Sequence, residues 1–218
     1  MSTMSTMSTV SGTATTSRVS TMFSMASGHL TLLSVVLVLT LPSTVQAQNE
    51  GFPNTKEQGR AATEYRDDVI QLVAAYYYSQ RNHDSTWLLI EVALTTEERM
   101  TIHRNALRLI TPDGTELALA TQERFSRDVE RVRQLVQNAR TSRHGTGAYF
   151  NRRNQSEEIR FFSLPGSRLV ADDFRVDRFR FALGDLFFES PTGAWEDGIY
   201  TLVLEHEDTR VAVPIVLE

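Results

Sequence analysis

Downstream of residue 47 the chain carries four histidines, His83, His103, His144 and His206. These are its imidazoles for proton transfer or metal ligation. A metal site on one helix or strand would show a His-x-His or His-x-x-x-His pair. No two of these residues stand at such a spacing, so neither a metal nor any other cofactor is expected. Acidic doublets occur at Asp67-Asp68, Glu97-Glu98, Glu157-Glu158 and Asp172-Asp173. Paired carboxylates perform general acid–base work when burial drives their pKa values apart. Adjacent residues on a strand point to opposite faces, and each doublet falls at the end of a predicted element. They read as solvated loops. Thiol chemistry is excluded because the chain has no cysteine, and no Gly-x-Ser-x-Gly elbow is present. Gly145-Thr146-Gly147 lacks the strand, third glycine and helix of a phosphate cradle. Asn154-Gln155-Ser156 fits a glycosylation sequon, which matters only on a eukaryotic secretory route. No catalytic residue is assigned.

Charge is the one uneven feature. Between Arg124 and Arg153 lie eight arginines and two acids, in a chain whose net charge is −5. Arginine forks bind carboxylate and phosphate bidentately and stack on aromatic rings. Arg140, Arg143, Tyr149, Arg152 and Arg153 therefore form a candidate surface for an anionic partner, either an acidic protein or an anionic envelope polymer. The plainer reading is a solvated basic helix face paired with acidic loops of its own domain, and on sequence alone it is preferred.

The elements that must carry these residues are mostly strands. Val69–Tyr78 is apolar and aromatic with Ile70, Leu72, Ala74, Tyr76 and Tyr78 on one period-2 face, and Ser79–Ser85 has turn chemistry. Trp87–Leu94 is apolar throughout except for Glu91, the pattern of a central strand. Met100–Thr111 reads as one strand with Leu107 and Leu109 inward and Arg104 and Arg108 outward. Pro112-Asp113-Gly114 then turns the chain into a short strand at Glu116–Leu119. From Thr121 to Arg140 the apolar spacing becomes helical through Phe125, Val129, Val132 and Val136, with Ser126 as the expected N-cap. Strands return at Ile159–Ser163 and Phe174–Leu183, the latter followed by a bulge or turn at Gly184-Asp185. Ile199–Glu207 and Arg210–Leu217 close the chain as a hairpin. Pro214, which has no N–H, marks its last strand as an edge or the outer side of a bulge.

About eight short strands with one helical insertion outline a β-sandwich. The run Trp195-Glu196-Asp197-Gly198-Ile199-Tyr200-Thr201-Leu202 resembles the Gly-x-Tyr-x-Leu start of a late strand in immunoglobulin-like and fibronectin-like domains. That likeness covers residues 70 to 218 as architecture and about eight residues as motif. It implies a mostly β, immunoglobulin-like sandwich and a tyrosine hydroxyl bonded back to the backbone at a corner. No Cys pair accompanies it, and it carries no functional residue across.

The first 47 residues are of a different kind. They contain no Asp or Glu, and Arg18 is their only basic residue. A Met-Ser-Thr repeat gives way to an apolar run from Leu30 to Leu41, then Pro42 and Val45-Gln46-Ala47. This is a signal-peptide pattern with cleavage expected between Ala47 and Gln48. The strict apolar run is 12 residues, short of the roughly 20 a spanning helix needs. A retained anchor would have to reach back to Phe23 across Ser24, Ser27, Gly28 and His29. The long, weakly basic opening makes initiation at Met22 or Met25 an expectation too. Without residues 1–47 there remain 171 residues, with 21 basic against 27 acidic and a net charge of −6. Such a domain is not a general nucleic-acid or membrane-surface binder.

The expected organisation is a cleaved signal at 1–47, a loose arm at 48–67, and a β-sandwich at 68–218 with its helical insertion at about 121–155. Lys56 is the only lysine against 21 arginines, a bias of GC-rich genomes. With an export signal and no cysteine to carry a diacylglyceryl anchor, a periplasmic or extracellular bacterial protein is expected. Its expected role is non-enzymatic, as a binding or accessory domain of the envelope. A small secreted hydrolase whose site forms only in three dimensions, and a structural domain of a larger assembly, are the alternatives.

Overall fold

The structure is a computed structural model that describes residues 51–82, 84–141, 145–150, 155–166 and 169–218. The expected signal segment at 1–47 and its expected cleavage point lie outside the described residues. Among the described residues the chain is mostly β, with twelve strands in three sheets.

The first sheet has six strands. They are β1 (Thr55–Glu57), β2 (Ala62–Arg66), β3 (Ile70–Ala75), β4 (Trp87–Thr96), β8 (Gln155–Glu158) and β10 (Arg180–Glu189), in the order β1-β2-β3-β4-β10-β8. The second contains β6 (Leu107–Ile110), β7 (Glu116–Ala118), β11 (Gly198–His206) and β12 (Thr209–Leu217), in the order β12-β11-β6-β7. A two-stranded sheet pairs β5 (Met100–His103) with β9 (Asp173–Val176). All pairs are antiparallel except β8 with β10, which run parallel.

β4 sits between β3 and β10, as its uninterrupted apolar run requires. Leu88, Ile90, Val92 and Leu94 point into the main core with Leu72 and Ala74 of β3 and Leu186 and Phe188 of β10. Leu107, Leu109, Leu202, Val211, Val213 and Ile215 of the four-stranded sheet close that core from the other side. The opposite face of β4 carries Trp87 and Leu89, which pack with Phe187 against the helical segment in a second apolar cluster. The result is three layers, with the six-stranded sheet in the middle.

Four expectations hold. Asp113 accepts at the Pro112-Asp113-Gly114 turn, where Gly114 takes φ +88°, and β6 and β7 form the hairpin. The closing hairpin is present, and β12 with Pro214 is the outermost strand of its sheet. The Tyr200 hydroxyl donates to the Glu196 carbonyl at 3.0 Å and accepts from the Glu196 amide at 3.2 Å. That is the corner bond anticipated from the Trp195–Leu202 run.

Several expectations are corrected. The strand count exceeds eight, and the immunoglobulin-like sandwich at that finer level is not what the sheet order displays. The arm expected at 48–67 carries β1 and β2, because Ala61, Ala62 and Tyr65 are buried there and extend the larger sheet. Ser79–Ser85 begins with a one-turn helix, α1 (Ser79–Asn82).

Met100–Thr111 breaks into β5 and β6 at a 3₁₀ turn over Arg104–Ala106. Arg104 does not face out. Its guanidinium donates to the Ala120 carbonyl and lies 5.9 and 5.5 Å from the Phe161 and Phe162 ring centroids, which pulls the backbone out of the strand. Ile159–Ser163 is irregular rather than a strand. Its first residue still bonds to the sheet, the Ile159 amide donating to the Leu183 carbonyl; beyond it the Arg160 carbonyl accepts from Ala171, and the Ser163 amide donates to Gln122.

Phe174–Leu183 divides into β9 and β10 at a turn held by Asp177, which leaves Phe179 65% exposed under the Arg178 guanidinium. Gly184-Asp185 is neither bulge nor turn, since β10 pairs with β4 without a break from Ala182 to Glu189. Gly184 is there because Ile159 crosses it. A Cβ at Gly184 would lie 2.6 Å from the Ile159 Cβ and 2.8 Å from its carbonyl oxygen.

Candidate functional site

The helical segment covers the outer face of the larger sheet, and the arginines sit on it. Its first helix, α2 (Gln122–Arg127), is capped by Thr121, whose Oγ1 accepts from the Arg124 amide at 3.1 Å. Ser126, the expected cap, lies within α2 and accepts from the Gln122 side chain. Helical geometry breaks at Asp128, with φ −104° and ψ 26°, before α3 (Val129–Arg140) begins. The Asp128 carboxylate accepts from the Trp87 indole N–H at 3.1 Å and pairs with Arg124 at 3.0 Å. Those contacts hold the break against the sheet. The bond from Arg124, partly opposed by burial, holds the Asp128 carboxyl below the usual aspartate range. α3 then buries Val132, Leu135 and Ala139.

Most of the described arginines on this segment are spoken for. Arg124 also reaches Glu189 at 2.8 Å, and Arg127 pairs with Glu123. Arg131 pairs with Asp84 at 2.7 Å, and Arg133 with Glu130 at 2.6 Å. Arg140 differs, being exposed and in no ion pair among the described residues. Tyr149 is half-buried. Its hydroxyl donates to the Gln58 carbonyl at 3.2 Å and lies 3.3 Å from the Tyr77 hydroxyl, so it ties its loop to the N-terminal strands. Burial and the Tyr149 hydroxyl together raise the Tyr77 pKa well above the ordinary tyrosine value. Arg143, Arg152 and Arg153 lie outside the described residues. Of the candidate surface, the structure thus describes Arg140 and Tyr149, and gives Tyr149 a structural bond.

Arg140 stands at a groove of about 510 Å³ between α3 and the outer face of β10 and β4. Its apolar wall is made by the half-buried Val136, Phe162, Leu164 and Leu183. Behind them the Phe125, Phe162 and Phe187 rings pack with centroids 5.0–5.1 Å apart. Arg160 is the groove's second cation, and Glu91, Glu158 and Asp185 are its acids.

Glu91 and Asp185 are directly opposite in the β4–β10 ladder. Such positions put Cβ atoms about 4.5–5.5 Å apart. Glu91 accepts from the buried Thr146 at both its amide, 3.0 Å, and its hydroxyl, 2.7 Å. The sequence reading missed this pair, because its members are far apart in the chain. The available signal was Glu91 itself, a lone acid in an apolar central strand.

The remaining polar candidates stay apart. His103 lies 3.8 Å from Asp173 on the two-stranded sheet, and His206 lies 4.0 Å from Glu207 on the four-stranded sheet. His83 and His144 lie outside the described residues. Glu157 pairs with Arg180 at 3.1 Å, and Asp172 lies 3.6 Å from Arg104. Among the described residues no group of three His, Cys, Asp or Glu is arranged to hold a metal ion.

Fold and groove define a mostly β domain with a helical layer over its larger sheet. No protein-family model matches the sequence, and no curated protein matches it. Among solved structures it is similar to a candidate lipoprotein (ycdA) from Bacillus subtilis, with a TM-score of 0.36 and 12% sequence identity. That match covers 70% of this chain and 38% of the other, so this chain spans well under half the length of its neighbour. A likeness at that level carries no functional argument.

Proposed function

We propose that this is a non-enzymatic binding or accessory domain, exported to the periplasm or exterior of a bacterium, and that the groove beside α3 is its binding face. The acid-free opening, the apolar run and Val45-Gln46-Ala47 support export with a mature start at Gln48. The Tyr200 corner supports kinship of the closing hairpin with immunoglobulin-like domains.

The groove itself carries the reading. At about 510 Å³ it falls within the roughly 300–1,000 Å³ of small-molecule sites, and it combines an apolar wall with a few convergent charges. Arg140, with Arg143, Arg152 and Arg153 near it in sequence, would attract an acidic protein or an anionic envelope polymer. Tyr149 serves that surface indirectly by anchoring its loop.

The test uses protein recovered after export, with intact mass establishing its first residue, on immobilised lipopolysaccharide and teichoic acid. Expected is retention that weakens as salt rises, since the attraction acts over a Debye length of about 8–10 Å. It should be lost when Arg140, Arg143, Arg152 and Arg153 become Ser, and when Val136→Trp fills the groove, with thermal stability unchanged. Retention that survives both changes would sink the reading.

A second reading, a secreted hydrolase, is favoured by one observation, the Glu91–Asp185 pair in the groove. Two carboxylates so close suit general acid–base chemistry. Hydrolysis of a chromogenic glycoside panel, lost in both Glu91→Gln and Asp185→Asn, would establish it over the binding reading.

A further inference from the structure

We infer that the ligand of the groove is a single-chain anionic amphiphile, an alkyl chain ending in a phosphate or carboxylate. This rests on the groove being a binding site. The wall asks for an apolar body: Val136, Phe162, Leu164 and Leu183 are each only half-buried, and they line the groove together, with Ser163 between Phe162 and Leu164 in the chain. The Phe125, Phe162 and Phe187 rings back that wall at 5.0–5.1 Å and hold it rigid, so a chain laid on it meets a preformed surface.

The charges choose the headgroup. Arg140 and Arg160 line the groove, both are exposed, and neither is in an ion pair among the described residues. On the helical segment beside the groove, Arg124, Arg127, Arg131 and Arg133 are by contrast all in ion pairs. The acids of the groove are already engaged within the chain, Glu91 by Thr146 and Glu158 and Asp185 by contacts of their own. The site's unspent capacity is therefore cationic, and a guanidinium takes phosphate or carboxylate with paired N–H donors. A cationic amphiphile would meet acids that are occupied and arginines that repel it.

The experiment titrates the protein recovered after export with dodecyl phosphate below its micelle concentration. Parallel titrations use dodecyltrimethylammonium, inorganic phosphate and octyl glucoside. Expected is saturable binding of dodecyl phosphate alone. The double change Arg140→Ser with Arg160→Ser should weaken it about tenfold or more, the scale of one lost charge-assisted contact. Val136→Trp should abolish it. Circular dichroism of each variant confirms that the fold is retained.

Equal or tighter binding of the cationic or neutral amphiphile would overturn the headgroup assignment. Binding of inorganic phosphate as tight as that of dodecyl phosphate would overturn the role of the wall and point to a free anion. If dodecyl phosphate does not bind while Val136→Trp still abolishes retention on the anionic polymers, the amphiphile is refuted and the groove remains a polymer site. If polymer retention survives Val136→Trp, the groove reading falls, and this inference with it.

Discussion

Asp128 shows how much one side chain can do at the junction of two layers. It ends α2, accepts from the indole of the fully buried Trp87, and pairs with Arg124, which in turn reaches Glu189 and lies 5.2 Å from the Trp87 ring centroid. The Arg124 hydrogen bond, partly opposed by burial and aided by the Trp87 N–H, depresses its pKa. A carboxylate with a depressed folded-state pKa stabilises the fold above its unfolded value, about 3.9, and that contribution is lost as pH falls through the lower folded value. Wild type should therefore lose more stability than Asp128→Asn between about pH 4 and pH 2, as followed by tryptophan fluorescence during urea unfolding. Parallel losses in the two proteins would show that Asp128 does not anchor the helix break. Neither the break nor this pairing was legible in the sequence, because Asp128 fits the dipole of a continuous helix as well as it fits a junction.

At the scale of elements, the apolar spacing from Phe125 to Val136 announced a helix, and Phe125 and Val132 are buried on it. What the spacing misplaced was the cap, expected at Ser126 and found at Thr121. Thr121 and Ser126 both have the chemistry, and the choice depends on which backbone amides remain unpaired once the segment lies on the sheet. Thr121→Ala should cost about 1 kcal/mol of stability. Ser126→Ala should cost less, since among the described residues that hydroxyl serves only the Gln122 side chain. Denaturant midpoints of the two variants check this, and the reverse order would restore Ser126 as the cap. Strand boundaries failed for a related reason. Met100–Thr111 and Phe174–Leu183 each keep strand-like composition through a turn: Arg104 breaks the first by contacts with residues distant in the chain, and Asp177 breaks the second by accepting from the Phe179 amide, with its carbonyl accepting from distant Thr95.

For the whole molecule, the central position of β4 sets the energetics. Both its faces are covered, one by the four-stranded sheet and the other by α2 and α3. Ile90 is fully buried, and truncating it to Ala should cost roughly 2–5 kcal/mol, depending on how far the cavity collapses. Thermal unfolding followed by circular dichroism measures this, and a variant as stable as wild type would mean that β4 is not central. Because the chain has no cysteine, the same measurement should be indifferent to reductant.

By itself the sequence determined the mostly β class, the central strand at 87–94, the Pro112-Asp113-Gly114 turn and the closing hairpin, and the resemblance carried by Trp195–Leu202 implied the Tyr200 corner. All of these are local, because a period-2 pattern, a turn residue or a hydroxyl four residues from its acceptor depends on near neighbours alone. Only the tertiary structure decided that Glu91 faces Asp185, that four arginines of the helical segment are paired while Arg140 is not, and that an apolar groove opens beside it. Strand order and register bring together residues that no spacing rule relates, and an ion pair forms only where packing sets two side chains within reach.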